Sequence, residues 1–275
     1  MVDFFEIVQN PFVIRGLIAI VLIAVNAAIA GSFTIFRDAS FLVAGTAHAA
    51  LAGAAFAIVV GMYGILSWVD PLWGAIVFAV LLAGAAGYAS RKGSKTDLNT
   101  SIGIGFAMSM SIAVLLISLI QEYASRVWGI LFGDLLLLTD RDIILLAAVT
   151  AVLSFLAILF YREFIFISFD IEGAIAYGIR VPLFNYLMLA MIALSVVVLL
   201  KGVGAILVFA MLISPAATAN RMSRSVPGVI LYSFLIALFC GFVSLVISFF
   251  VQISPGALAA LIATTMYFVV FAVRR

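Results

Sequence analysis

The sequence predicts an all-α, polytopic membrane protein with about 8–9 transmembrane helices, and three observations lead to this fold class. Hydrophobic residues make up 67% of the 275-residue chain, charged residues only 9%, and the mean hydropathy is +1.37. The apolar residues form runs of about 20, the length that crosses a bilayer as a helix. Charged and turn-forming residues lie between these runs. We expect residues 1–275 to form a single transmembrane domain.

Nine apolar runs indicate the individual spans. The segment 127–139 is not among them, because it is short and is interrupted by Gly129, Gly133 and Asp134. We expect an interfacial or re-entrant helix there. Near the end of the sixth run, Lys201 to Gly204 divide a longer apolar stretch into two spans. The nine runs cover residues 12–36, 41–66, 72–90, 100–120, 143–161, 183–200, 203–219, 229–251 and 257–273.

The distribution of basic residues predicts the orientation. Nine spans place the two ends of the chain on opposite sides of the membrane, and cytoplasmic loops carry an excess of Lys and Arg. With the N-terminus outside and the C-terminus in the cytoplasm, ten of the fourteen basic residues lie inside. These ten are Arg37, Arg91, Lys92, Lys95, Arg162, Arg180, Arg221, Arg224, Arg274 and Arg275.

Motifs for catalysis or cofactor binding are absent from the sequence. Gly93 to Thr96 resemble the end of a phosphate loop, but the upstream glycine that such a loop needs is missing, so we interpret the segment as a basic turn. Cys240 is the only cysteine, which excludes an intrachain disulfide. The net charge of +2 argues against a nucleic-acid partner. We expect no enzymatic activity and no cofactor bound by this chain.

His48 is the only histidine and the leading candidate for a functional side chain. An ionisable side chain inside a span is costly, and it usually faces the protein interior or a water-filled path. Gly45, Ala49 and Gly53 form a stripe of small residues beside it, which lets another helix approach closely. The position alone leaves two alternatives: a packed histidine bonded to a neighbouring carbonyl, or a ligand for a permeating cation.

Two stretches on the expected inner side predict short loop helices. Between residues 166 and 182, Ser168 or Asp170 can cap a helix that ends near Gly178, and Pro182 opens the next span. In 212–224, we expect Pro215 to prevent a regular helix. The alternative for both stretches is that they are simple connectors between spans.

Five passages resemble, in order and spacing, the permease subunits of ATP-binding-cassette importers for zinc, manganese or iron. The resemblance covers nearly the whole chain, and the last passage is the most specific. The passages are 36–53, with Thr46-Ala-His48; 100–119; Leu131-Phe-Gly-Asp134; 168–179, with Ser168-Phe-Asp170 and Tyr177-Gly178; and 203–219, with Ile213-Ser-Pro215-Ala-Ala-Thr-Ala219.

The resemblance implies a membrane-spanning permease that forms the translocation path for a divalent metal ion in the plasma or inner membrane. It implies a homodimer in contact with membrane lipid, two separate ATPase subunits that hydrolyse ATP, and an extracytoplasmic metal-binding protein. It assigns a cytoplasmic gate loop to Asp170, Glu172 and Gly178. It assigns coupling to the ATPase to Pro215, Ala216, Ala217, Thr218, Arg221 and Arg224.

The sequence departs from the family at one position of the expected metal site. Many members carry Asp-x-x-x-His, which places a carboxylate and an imidazole on one helix face and suits a borderline divalent cation. Here His48 matches the histidine, but Ala44 replaces the aspartate. Either Thr46, Asn26, Ser214 or a partner chain supplies further ligands, or the metal passes with little binding.

Two other function classes remain as alternatives. The chain could be a secondary, proton-linked transporter that uses His48, or a membrane assembly or scaffold protein whose small-residue stripes serve only packing.

Overall fold

The computed structural model describes residues 10–64, 70–89, 95–120, 133, 135–205, 207–251 and 253–273, and this part of the chain is helical without strands. Within the predicted interfacial helix at 127–139, residues 135–139 are described and form no helix, and the rest lies largely outside the described residues. Of the predicted basic turn at 93–96, only Lys95 and Thr96 are described, and they begin a long helix. The helices are α1 Pro11–Phe36, α2 Phe41–Met62, α3 Pro71–Ala89, α4 Lys95–Ser118, α5 Asp140–Leu159, α6 Tyr161–Phe169, α7 Ile171–Ala176, α8 Val181–Val203, α9 Val208–Met222, α10 Val226–Val251 and α11 Pro255–Val273.

Eight of the described helices are long and apolar enough to cross a membrane, namely all except α6, α7 and α9. This confirms the predicted fold class. The seventh predicted run, 203–219, corresponds to α9, which has only 15 residues. Although α9 is shorter than the membrane-spanning helices, it lies beside most of the length of α11. Leu207, just before α9, lies against Gly256, and the Arg221 guanidinium near its end lies 4.3 Å from the Phe271 ring centroid.

The contacts between helices define two ends of the bundle. At one end, which we call the N-face, α1 begins beside α5, and Arg15 forms an ion pair with Asp140 (Nε to Oδ1 2.6 Å). Lys201 forms a second ion pair there with Asp142 (2.7 Å). The opposite end, the C-face, holds the end of α1, helices α6 and α7, and the turn between α9 and α10. Residues 10 and 273 therefore lie at opposite ends of the bundle.

Glycines bring α2, α3 and α4 close together. Gly53 of α2 crosses Gly74 of α3 so tightly that a Cβ on either residue would meet the other's carbonyl oxygen at 2.0 or 2.2 Å. Gly45 lies against Leu82 of α3 and Ile102 of α4. The small-residue stripe predicted beside His48 therefore serves close helix packing.

The first helix lies in the middle of the bundle and contains a π turn. It packs against α5, α8, α9 and α10. Residues Ala27–Gly31 form the π turn, in which one turn of the helix widens by a residue. Ser233 of α10 donates a hydrogen bond to the Ala27 carbonyl (3.0 Å). Gly31 lies directly against the backbone of Leu212 in α9, where no larger side chain would fit.

The prediction that Pro215 prevents a regular helix is wrong. Pro215 lies inside α9, which continues without interruption to Met222. A proline in a helix interior removes one backbone hydrogen bond and is normally costly. Here tertiary packing holds the helix together, since Pro215 and Ala216 are buried and Leu212 is seated on Gly31 of α1.

Candidate functional site

His48 lies about two turns from the C-face end of α2 and is partly buried. Its Nδ1 lies 2.9 Å from the carbonyl oxygen of Ala44, one turn earlier in the same helix. A carbonyl oxygen can only accept, so Nδ1 carries the proton that this bond needs. In a neutral imidazole this leaves the lone pair on Nε2 available to a ligand.

The imidazole lies on the less buried face of α2. Phe41, Ala44, His48 and Phe56 follow at helical spacing, and the two phenylalanines are 43% and 44% exposed. The rest of α2 packs against α3, α4, α8 and α9 and is mostly buried, and α4 reaches the edge of the His48 face through Phe106. Ala44 and His48 thus share one face, as their i, i+4 spacing predicts.

Two phenylalanine rings flank the imidazole on the side of the C-face. The Phe106 ring of α4 meets His48 edge to face, with 4.7 Å between ring centroids. Phe41, at the first turn of α2, lies 5.4 Å from the same Phe106 ring. These rings fix the orientation of the imidazole and place apolar surface between it and the C-face.

One chain does not enclose a metal site in the part that the structure describes. No group of three or more His, Cys, Asp or Glu side chains comes together there. Thr46, one of the further ligands predicted from sequence, is buried and donates its hydroxyl to the Leu42 carbonyl (2.7 Å). It lies two residues from His48, a spacing at which helical side chains do not face each other.

Asn26, a second predicted ligand, belongs to a buried polar cluster in the middle of the bundle. Its Nδ2 donates to Thr150 of α5 (2.7 Å) and to the Leu22 carbonyl (2.8 Å). Ser195 of α8 donates to its Oδ1 (2.8 Å). The Asn26 side chain is thereby satisfied, as burial of an amide requires, and it ties α1, α5 and α8 together beside the π turn.

The gate loop predicted at the C-face has the expected local structure. Asp170 caps α7, accepting a hydrogen bond from the Gly173 N–H (2.8 Å). Gly178 ends the following turn with φ of 78°, a left-handed conformation that glycine adopts without strain. Pro182 lies in the first turn of α8, and Glu172 is exposed. The role of this loop as a gate stays a prediction.

Arg37, just after the end of α1, is bonded to α6 and α8, a role that sequence reasoning missed. Its Nη1 donates to the Ile167 carbonyl of α6 (2.9 Å), and Nη2 donates to Asn185 Oδ1 of α8 (2.6 Å). Burial lowers the pKa of the Arg37 guanidinium below its ordinary value, while Asp38 next to it acts in the opposite direction. The sequence indicated only a basic residue on the inner side, with no pattern that identified these partners.

The predicted coupling residues fall into two groups. Pro215, Ala216 and Thr218 are buried within α9, whereas Arg221 and Arg224 are exposed at the C-face, and Ala217 is partly exposed. The Arg221 guanidinium stacks on Phe271 of α11. A partner docked at the C-face would therefore contact the end of α9 and the turn after it. The coupling role of all six residues stays a prediction.

Comparison with known proteins gives a consistent assignment over nearly the entire chain. Residues 9–274 match the model of the ABC 3 transport family. An uncharacterized membrane protein of Synechocystis is 34% identical over 98% of this chain and 93% of its own length. The manganese transport system membrane protein MntC of Listeria monocytogenes is 31% identical over 96% of this chain and 91% of its own.

A solved structure has the same fold. One chain of PsaBC from Streptococcus pneumoniae, solved in complex with a Fab, superimposes with a TM-score of 0.83 and is 29% identical in sequence. The match covers 98% of this chain and 94% of the other.

Proposed function

This chain belongs to the ABC 3 transport family, and we propose that it is the membrane-spanning subunit of an ATP-driven importer of divalent metal ions. Manganese, zinc and iron are the candidate ions, and manganese is the one named for the similar MntC protein. ATP hydrolysis takes place on a separate subunit that docks at the C-face. An extracytoplasmic binding protein delivers the metal to the N-face.

One observation carries the metal assignment: the Nδ1–H bond from His48 to Ala44, which leaves Nε2 free on a partly open helix face. Imidazole nitrogen is a common ligand for zinc, iron and other borderline divalent cations. A backbone carbonyl bonded to the second ring nitrogen fixes the tautomer that metal binding needs. His48 is therefore positioned to contact a permeating cation.

A homodimer completes the site. One imidazole is a weak site for a divalent cation, and a second copy of the chain would supply a second His48. Water would fill the remaining positions, so the ion is held loosely enough to leave again. Phe41 and Phe106 lie on the C-face side of the imidazole and would slow release until the gate loop moves.

The C-face faces the cytoplasm in this proposal. Its described basic residues are Arg37, Lys95, Arg162, Arg180, Arg221 and Arg224, whereas Arg15, Arg141 and Lys201 lie at the N-face. Cysteines introduced by Ser223→Cys and Tyr63→Cys test this orientation in intact cells. An impermeant maleimide should label Tyr63→Cys only, and labelling of Ser223→Cys alone would reverse the orientation.

Metal uptake in a strain that lacks its own zinc and manganese importers tests the function. The chain is expressed with its ATPase and binding protein, and His48→Ala should abolish most uptake while the ATPase still co-purifies. Thr46→Ala is the matched control, because it removes a polar side chain from the buried side of α2 and should leave uptake intact. Ala44→Asp should tighten metal binding, since it adds a carboxylate on the His48 face.

Normal uptake by His48→Ala together with a lower melting temperature would contradict the proposal. His48 would then be a packed histidine, and the metal ligands would lie elsewhere.

A further inference from the structure

A large apolar groove opens on the outer surface of the bundle between α5 and α10. Its volume is 780 Å³, within the range of small-molecule sites. Ala28 and Ile29 of the π turn in α1 contribute to its lining, and Ile158 and Leu231 stand at its two sides. Both of these side chains are more than half exposed. The groove is therefore open to whatever surrounds the membrane spans.

The groove lies entirely in the C-face half of the spans. Its lining residues fall between 25 and 33 in α1, between 154 and 161 at the end of α5 and the start of α6, and between 227 and 234 at the start of α10. The deepest lining residue of α10, Phe234, lies eight residues from the start of that helix, or about 12 Å, whereas half of the hydrocarbon core measures about 15 Å. The groove thus faces one leaflet of the bilayer.

Two exposed arginines lie at the C-face end of the groove. Arg162 follows Tyr161, which lines the groove, and Arg224 lies in the turn that precedes Pro227, another lining residue. Neither arginine forms an ion pair or a hydrogen bond with the residues that the structure describes, unlike Arg221, which stacks on α11. Glu163 is the nearest acidic residue in sequence, and it lies about 200° around α6 from Tyr161.

We propose that this groove binds an anionic phospholipid of the C-face leaflet. An acyl chain lies in the groove against the π turn, and the headgroup phosphate lies between Arg162 and Arg224. Basic pockets between transmembrane helices recognise anionic headgroups in this way, and tyrosine favours the headgroup level where Tyr161 lies. This site is separate from His48 and does not depend on the transported ion.

A second copy of the chain is a poorer occupant than a lipid. A symmetric contact places the same surface patch of both protomers together. It would bring Arg162 and Arg224 of one protomer against the same arginines of its partner. The like charges would repel each other, whereas a lipid phosphate neutralises them.

Native mass spectrometry with phosphatidylglycerol tests the proposal. The purified full chain is reconstituted in nanodiscs of phosphatidylcholine with increasing phosphatidylglycerol, and retained lipid is measured after release. We expect one retained phosphatidylglycerol per chain. The double variant Arg162→Ala, Arg224→Ala should weaken retention about 30-fold, since each arginine accounts for about a fivefold effect. Ala157→Phe should reduce retention as well, because it fills the groove.

Arg180→Ala is the matched control, since Arg180 is another exposed C-face arginine that does not adjoin the groove. Retention should be unchanged in this variant. Equal loss in Arg180→Ala and the double variant would overturn the proposal in favour of general surface charge. Full retention in Ala157→Phe would show that the groove is not the site. Disulfide cross-linking of Ile158→Cys between two chains in the membrane would assign the groove to a second copy.

Discussion

Alanine in place of Gly74 tests the close crossing of α2 and α3. A Cβ on Gly74 would lie 2.2 Å from the Gly53 carbonyl oxygen and 2.9 Å from the Ala57 Cβ. Ordinary contacts of this kind begin at about 3.4 Å. The obstacle is backbone that cannot rotate away, so the two helices must separate by about 1 Å.

The expected loss of stability is moderate because two effects oppose each other. Overpacking that forces a backbone shift costs about 1–3 kcal/mol. In the opposite direction, alanine stabilises a helix interior by about 0.5–1 kcal/mol relative to glycine. We therefore expect Gly74→Ala to lower the free energy of unfolding by about 1–2 kcal/mol. Gly53→Ala should behave similarly, since its Cβ would lie 2.0 Å from the Gly74 carbonyl oxygen.

Thermal unfolding of the purified chain in detergent measures the effect. Gly84→Ala is the matched control, since Gly84 lies in the same helix with no atom within 4 Å of the position of a new Cβ. Its melting temperature should be equal to or above that of the unchanged protein. If Gly74→Ala and Gly84→Ala melt at the same temperature, the crossing does not depend on the absence of a side chain, and the reasoning fails.

Three further predictions concern the C-face. Arg37→Met should lower the free energy of unfolding by about 2–4 kcal/mol in chemical denaturation, because Asn185 Oδ1 and the Ile167 carbonyl lose a charged donor; stability equal to that of the unchanged chain would contradict the proposed link. Gly178→Ala should cost about 1–2 kcal/mol because φ is positive there, and Gly178→Asn should cost less in the same assay. Asp170→Ala should speed hydrogen exchange in α7, whereas Asp170→Ser should preserve protection by keeping the cap; equal exchange in both variants would show that the cap is unimportant.

Hydrophobicity and turn chemistry predict most of the fold, because both act locally. Long apolar runs identify the spans, because a helix needs about 20 apolar residues to cross the bilayer and few other segments of the chain have that length and composition. The short helix after Asp170 follows from a capping side chain and a glycine at the left-handed turn, which lie within a few residues of each other. His48 became the leading candidate for a similar reason, because a single ionisable residue in an apolar run is conspicuous.

The sequence could not predict the features that depend on contacts between distant residues. Pro215 usually ends a helix, and only the packing of α9 on Gly31 of α1 keeps the helix continuous. The π turn falls in Ala27–Gly31, where small residues carry no local pattern that distinguishes it from an ordinary helix. Arg37 looked like one of many inner-side charges, because its partner Asn185 lies 148 residues away.

Because α1 contains a π turn, its correct packing depends on the number of its residues as well as on their identity. The π turn holds one residue more than the same turn of an α-helix would, and each residue rotates the following helix by about 100°. Loss of a single codon here would turn the last part of α1 by that angle and carry Arg37 away from Asn185. Insertions and deletions are usually tolerated in loops, but in this chain a change of one residue at the centre of a membrane span would be transmitted to the opposite surface of the protein.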